Sequence, residues 1–305
     1  MRSWFFLFSC NLMWALQFTC IKLVQNQAGS LFTVWGPMTL ATLMLYPLVR
    51  SERRKDTEPD RRKTTDIFFF FLMAGLGVFP AQVLTTWGTR MSLASNAALI
   101  ALTAPISMAI LAAIILGERM TSTRCISFGF AFLGVILCSA SDFRHMDFGK
   151  GYWAGNLLVF LGITGSGFYN TYGKKMMERY TPMEMLFYTY LAMFFIMTPL
   201  VLIQERDVFA RIPHFTSRTW IGMLLLIFFH NFLSMVLWLK ALKKLDAMQA
   251  ALSNYLITFF GVPIAALWLG ERLTLAAIVG GILVLGSTLL ITLWEKNQTA
   301  EPAPP

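Results

Sequence analysis

The chain has 305 residues, 56% of them hydrophobic and only 13% charged, with a mean hydropathy of +0.61. An ordinary soluble domain is roughly 45–50% apolar and about 25% charged, so this composition excludes one soluble core and points to a chain that crosses a bilayer many times. The net charge of +9 does not mark a nucleic-acid partner, because the basic residues form no stripe and sit in short connections between apolar runs.

A membrane helix needs about 20 apolar residues. Ten runs of about that length follow in order: 3–24, 31–49, 67–88, 93–116, 125–141, 152–173, 182–203, 219–239, 246–269 and 274–294. The first run reads as a retained span and not as a cleaved leader, since Asn11 and Gln17 interrupt it and no small-x-small cleavage site follows. The long polar connection is 50–66. Cys10, Cys20, Cys125 and Cys138 lie inside apolar runs without CxxC or Cys/His spacing, so neither a disulfide framework nor a metal site is expected. Thr181-Pro182-Met183-Glu184 and Asp246 with Gln249 read as capping boxes, which gives Glu184 and Asp246 structural roles. Gly162–Gly167 and Gly151-x-x-x-Gly155 read as close-packing surfaces.

The phrase Leu-Gly-Glu-Arg closes a run at 116–119 and again at 269–272, a shift of 153 residues. The same shift carries Lys22 onto Lys175, Leu84 onto Leu237, Ala97-Ala98-Leu99 onto Ala250-Ala251-Leu252, and Thr121 onto Thr274. This register predicts a duplicated five-helix unit: residues 1–148, then 149–295, with 296–305 as a polar, disordered tail. A second copy of an odd-span unit enters the membrane in the opposite direction, so the two halves form an inverted repeat. With both termini in the cytoplasm, 17 of the 25 Lys and Arg fall on the inner side and 8 on the outer, as the positive-inside rule requires.

Ten spans in two halves, each with Gly-Glu at the end of its fourth span, resemble the drug/metabolite transporter superfamily and its EamA-type carriers. The matching stretches are NLMWALQFTCIK (11–22), ALIALTAPISMAILAAIILGERMTSTRCISFGFAFLGVIL (98–137) and AALSNYLITFFGVPIAALWLGERLTLAAIVGGILVLG (250–286). The chain departs from the family at Thr258, where the family commonly has Pro; Pro263 stands further on. The resemblance implies an alternating-access carrier of metabolites or amino acids, often an exporter. It also implies a central cavity made mainly by spans one, three, four, six, eight and nine.

Polar groups in hydrocarbon need partners or water, so mid-span polar residues are the substrate-binding candidates. They are Asn11, Trp14 and Gln17 in span one, Tyr169 and Asn170 in span six, His230, Asn231 and Trp238 in span eight, and Asn254, Tyr255 and Thr258 in span nine. Each is also a residue type that holds helices together. His230 is either a proton carrier or a neutral hydrogen-bonding group. Glu118 and Glu271 are either helix-end partners of Arg119, Arg272 or a nearby loop, or gate groups that pair when one side closes. All 16 Asp and Glu lie in loops, tails or helix ends. With no deep Lys or Arg cluster, amides and aromatic rings suit small zwitterionic or aromatic metabolites better than phosphate esters.

The expectation is a secondary transporter of small metabolites, amino acids or related compounds, working toward export. An exporter of drug-like or other organic metabolites is the alternative. A membrane-embedded enzyme is disfavoured because HExxH, GxSxG and Walker patterns are absent from the sequence. A channel would carry a continuous polar file along its helices. No catalytic residue, metal or cofactor is expected. The expected partners are a small-molecule substrate and the lipid bilayer, with no nucleic acid, in a monomer or homodimer in a bacterial cytoplasmic membrane.

Overall fold

The computed structural model describes residues 2–25, 27–55, 65–91, 100–138, 152–257, 259–260 and 275–300. The described residues are helical, with no strand among them. Thr258, Glu271 and Pro263 of the sequence analysis lie outside them.

The first run is two helices, α1 (Arg2–Ala15) and α2 (Gln17–Gln25), separated by a turn at Leu16. Asn11 and Trp14 lie on α1, whereas Gln17 opens α2, and its side chain is outside the described set. Then come α3 (Ser30–Lys55), α4 (Asp66–Leu72) and α5 (Thr85–Met91), followed by α6 (Ala104–Leu116), α7 (Ser122–Cys138), α8 (Trp153–Met176) and α9 (Pro182–Gln204). A short connection with α10 (Val208–Arg211) leads to α11 (Ser217–Leu225) and α12 (Met235–Leu242), then α13 (Ala247–Ser253) and α14 (Leu275–Ala300). Among the described residues four rods are long and apolar enough to cross a membrane: Ser30–Arg54, Asp66–Gly88, Pro182–Gln204 and Ser217–Leu242. The last helix continues to Ala300, beyond the boundary at 295 expected for a disordered tail. Nothing in Glu295–Ala300 stops a helix, and the first proline after it is Pro302.

Two rods contain wide, π-helical turns. In the rod from α4 to α5 these are Met73–Val78 and Pro80–Leu84; between α11 and α12 the wide segment is Leu226–Ser234. The repeat register of 153 carries 73–78 onto 226–231. In the first rod Pro80 lacks an N–H and its ring opposes the normal α-bond, and the Phe79 N–H reaches back to the Ala74 carbonyl. In the second, the Asn231 side-chain amide donates to the Leu226 carbonyl at 2.9 Å, five residues back. Such turns occur frequently at functional sites.

Capping follows the sequence. Thr181 accepts from the Glu184 N–H at 3.2 Å while Glu184 accepts from the Thr181 N–H at 3.1 Å. The Arg124 N–H reaches Thr121 at 3.3 Å, at the start of α7. Gly117 adopts φ 68° to close α6, which glycine does without a Cβ clash. The glycines of α8 make close approaches. A Cβ at Gly155 would meet the Met91 carbonyl at 2.7 Å, one at Gly162 the Pro80 carbonyl at 2.8 Å, and one at Gly165 the Gly77 carbonyl at 3.0 Å. Thus α8 lies directly against the wide-turn rod and α5, and these glycines act as packing residues.

Contacts between turns define two ends of the bundle. At one end, Arg53 at the foot of α3 pairs with Glu184 at 2.7 Å. Asp66 at the start of α4 accepts from Tyr180 at 3.1 Å, between α8 and α9. At the opposite end, the chain after α9 meets the start of α3, and the α2–α3 connection meets the start of α11.

Candidate functional site

Within the bundle, α1, α8 and the rod from α11 to α12 meet around two tryptophans. The Trp14 and Trp238 rings lie 4.9 Å apart at 47°. Trp238 is fully buried, and its indole N–H donates to Asn170 Oδ1 at 2.6 Å. Asn170 in turn donates to the Ser166 carbonyl at 2.9 Å. Trp14 donates to Ser234 Oγ at 3.1 Å, and Ser234 donates to the His230 carbonyl. Each indole N–H thus has a partner on another element, which an indole buried in an apolar bundle requires. The pair forms an aromatic partition across the interior.

Beside it, Asn11 is fully buried and donates to the Leu7 carbonyl at 2.9 Å and to Ser253 Oγ on α13 at 3.2 Å. The Asn11 Oδ1, Asn254 Oδ1, Tyr169 hydroxyl and Tyr255 hydroxyl are buried without a hydrogen-bond partner among the described residues. Tyr255 faces α7, with its ring 6.5 Å from that of Phe128. Tyr169 packs against Gly77 of the wide turn.

On one side of the partition a crevice opens between α2, α3 and the two wide-turn rods. It is narrow, with a cavity volume of about 20 Å³, and it opens to solvent. Gln25, Thr33, Gln82, Thr86, His230 and Asn231 supply its polar lining, with Ile21, Val34 and Leu226 as apolar walls. The His230 Nδ1 is buried with no hydrogen-bond partner among the described residues. Asn231 is held on both sides: its amide donates to Leu226, and its carbonyl accepts from the Tyr190 hydroxyl at 3.0 Å.

On the other side the bundle is closed by charge. Glu118 Oε1 accepts from Lys174 Nζ at 2.9 Å and from the Ala247 N–H at 2.7 Å, while Oε2 accepts from the Met248 N–H at 2.9 Å. The carboxylate therefore caps the N-terminus of α13, where the helix dipole favours negative charge. Lys174 also donates to the Leu245 carbonyl at 2.7 Å. Arg124 pairs with Asp246 and donates to the Arg119 carbonyl at 3.1 Å. Nearby, burial and the hydrogen bond to Asp66 push the Tyr180 hydroxyl up to about 12, so it remains a donor.

Of the residues nominated from sequence, Trp14, Asn170 and Trp238 meet in the partition, and the His230 carbonyl joins them through Ser234. His230 and Asn231 line the crevice. Asn11 meets α13 at Ser253, one residue before Asn254, while Tyr169 and Tyr255 point to other helices. Glu118 joins Lys174 and α13 of the second half. The Gln17 side chain, Thr258 and Glu271 fall outside what is described. Sequence reasoning passed over Gln82, Thr86, Ser234, Ser253 and Lys174. Gln82 carried a signal, as a lone amide inside the apolar run 67–88. The serines carried none, since a small hydroxyl in a helix is ordinarily satisfied by its own backbone.

The model of the EamA-like transporter family matches residues 1–140 and 153–293. A probable terminal-alkyne amino-acid exporter of Streptantibioticus cattleyicolor is 27% identical over 247 residues, covering 79% of this chain and 80% of that protein. An uncharacterized transporter of Archaeoglobus fulgidus is 23% identical, covering 95% and 99%. A second uncharacterized transporter, YyaM of Bacillus subtilis, is 23% identical, covering 82% and 80%. In fold, the chain is similar to a protein of known crystal structure with a TM-score of 0.78 at 14% identity, covering 96% and 97% of the two chains.

Proposed function

The chain belongs to the EamA-like transporter family, and on that premise we propose that this integral membrane transporter exports amino acids or related small metabolites by alternating access. Ten spans in two inverted halves, 1–148 and 149–295, form the carrier. Three observations support this organisation: the 153-residue register, the two family matches, and wide turns at equivalent places in the third and eighth spans. The end that carries Glu118, Lys174 and Arg124 is cytoplasmic, in line with the basic bias of its connections.

The observation that carries the reading is the asymmetry across the tryptophan partition. A polar crevice opens on one side, and a carboxylate of the first half clamps a helix of the second half on the other. A single path blocked at one end and open at the other is the arrangement alternating access needs. Asn11, Trp14, Asn170, His230, Asn231, Trp238 and Asn254 form the central binding region, to which Tyr169 and Tyr255 contribute from other helical faces; Gln17 and Thr258 are assigned to it from the sequence. Glu118 is the cytoplasmic gate, and Glu271 is its repeat counterpart at the outer face. The amino-acid class rests on the neutral, aromatic character of these groups and on the exporter relative.

Counterflow in proteoliposomes tests this. Vesicles are loaded with a panel of unlabelled amino acids and related metabolites, and entry of labelled compound is followed. Accelerated entry for one class, lost in Asn11→Ala, is the expected result. Folded protein that exchanges nothing across the panel overturns the proposal.

A further inference from the structure

The crevice is more than the mouth of a pathway. Four of its polar side chains come from the wide turns and their flanks, Gln82 and Thr86 from one rod and His230 and Asn231 from the other, while Gln25 and Thr33 come from α2 and α3. Thr86 spends its proton on the Gln82 carbonyl at 2.6 Å, which leaves its oxygen as an acceptor. The Asn231 amide is committed to Leu226. The His230 Nδ1 has no partner among the described residues. A buried ring nitrogen without a partner is unfavourable, and here it belongs to a residue that faces a polar recess. Among the described lining residues there is no carboxylate, ammonium or guanidinium. An ionic group entering this recess would give up hydration and meet no counter-charge, whereas an amide or hydroxyl would find donors and acceptors.

We propose that the crevice is a binding subsite for an uncharged polar group, a primary amide or hydroxyl, on a transported solute of zero net charge, with Gln82 and His230 as the recognising side chains. This rests on the carrier reading above and adds to it a place and a selectivity. The subsite holds one end of the solute, since the recess is narrow and shares its volume with solvent. It is also wired to the partition. The His230 carbonyl accepts from Ser234, and Ser234 accepts from Trp14, so a solute that draws on the His230 side chain acts on the turn that positions the tryptophan pair.

The test uses the purified full chain in proteoliposomes and the panel solute that exchanges. Glutamine, glutamate and lysine, similar in size and different in net charge, compete against it. Glutamine should compete at least about tenfold better than either charged compound. Gln82→Leu should weaken glutamine about tenfold, in the range expected for one lost hydrogen bond to a buried group. Gln82→Glu should shift preference toward lysine by a similar factor. Where a Gln82 variant does not fold, Thr86→Val carries the same expectation for glutamine. Exchange that persists with glutamine, glutamate and lysine competing equally, or with an unchanged profile in folded Gln82 variants, overturns the subsite and leaves the carrier reading standing. A silent panel removes the carrier reading and this inference with it.

Discussion

The two ends of the bundle do the same job with different chemistry. At the end proposed to be cytoplasmic, Glu118 caps α13, and its charge is answered by Lys174; Arg124 with Asp246 and Arg53 with Glu184 add ion pairs at the same end. At the opposite end the direction along the chain is reversed. Glu205 caps the earlier helix α3, accepting from the Leu31 N–H at 3.1 Å and the Phe32 N–H at 2.8 Å. Beside it Gln27 accepts from the Thr216 N–H and from Thr219 Oγ1, each at 2.7 Å, and the ion pair that follows Glu205, Arg206 with Asp207 at 3.8 Å, is solvent-exposed on both sides. A carboxylate on a helix N-terminus is thus used twice, with a cation at one end and amides at the other. Partly buried ion pairs lose much when one partner is removed, while neutral hydrogen bonds at a wet surface exchange cheaply with water. The charged end is built to be shut in this state, and the neutral end to give.

The contrast predicts a graded series, read as thermal stability in detergent. Glu118→Ala should cost most, on the order of 2–4 kcal/mol, because it uncaps α13 and removes the nearer carboxylate of Lys174, which keeps only Asp246 at 3.8 Å. The pair Glu118→Gln with Lys174→Met should cost clearly less than Glu118→Ala, since no charge is left unanswered. A double-variant cost equal to or above the single would contradict the ion-pair account. Gly29→Ala comes next, at about 1–2 kcal/mol. Its Cβ would overlap the Glu205 carboxylate and lift it off α3. Unchanged stability there would mean the cap contributes nothing. Trp14→Phe removes one indole donor from Ser234 and should cost about 1 kcal/mol. Gln27→Ala, at a solvent-facing turn, should fall below about 1 kcal/mol. A ranking that puts Gln27 above Glu118 would reverse the assignment of the two ends.

Much of this could be read from the chain itself, and the reasons are physical. Apolar run length located the helices, and the Thr181 and Asp246 signals located helix starts, because both depend on local sequence. The Asp246 N–H does reach Gln249 at 3.2 Å, yet the two N–H groups that follow go to Glu118, 129 and 130 residues away. Nothing local distinguishes a glutamate that pairs with its neighbour Arg119 from one that crosses to the other half. The wide turns were likewise invisible: Pro80 was there to be noticed, but Leu226–Ser234 contains no breaker, and its opening depends on Asn231 and Tyr190 meeting in space. The tryptophans were legible as candidates because a large amphipathic ring in a membrane span needs a polar partner. Which partner, Asn170 or Ser234, required the packed bundle.

The central claim is that the Glu118–Lys174 contact must open for solute to move. Glu118→Cys with Lys174→Cys, in a chain whose four native cysteines are replaced, can be bridged by a short cleavable thiol cross-linker in proteoliposomes. Counterflow should stop on cross-linking and return when the bridge is reduced, with each single-cysteine chain unaffected by the reagent. Full-rate counterflow through a completely cross-linked protein would contradict the account.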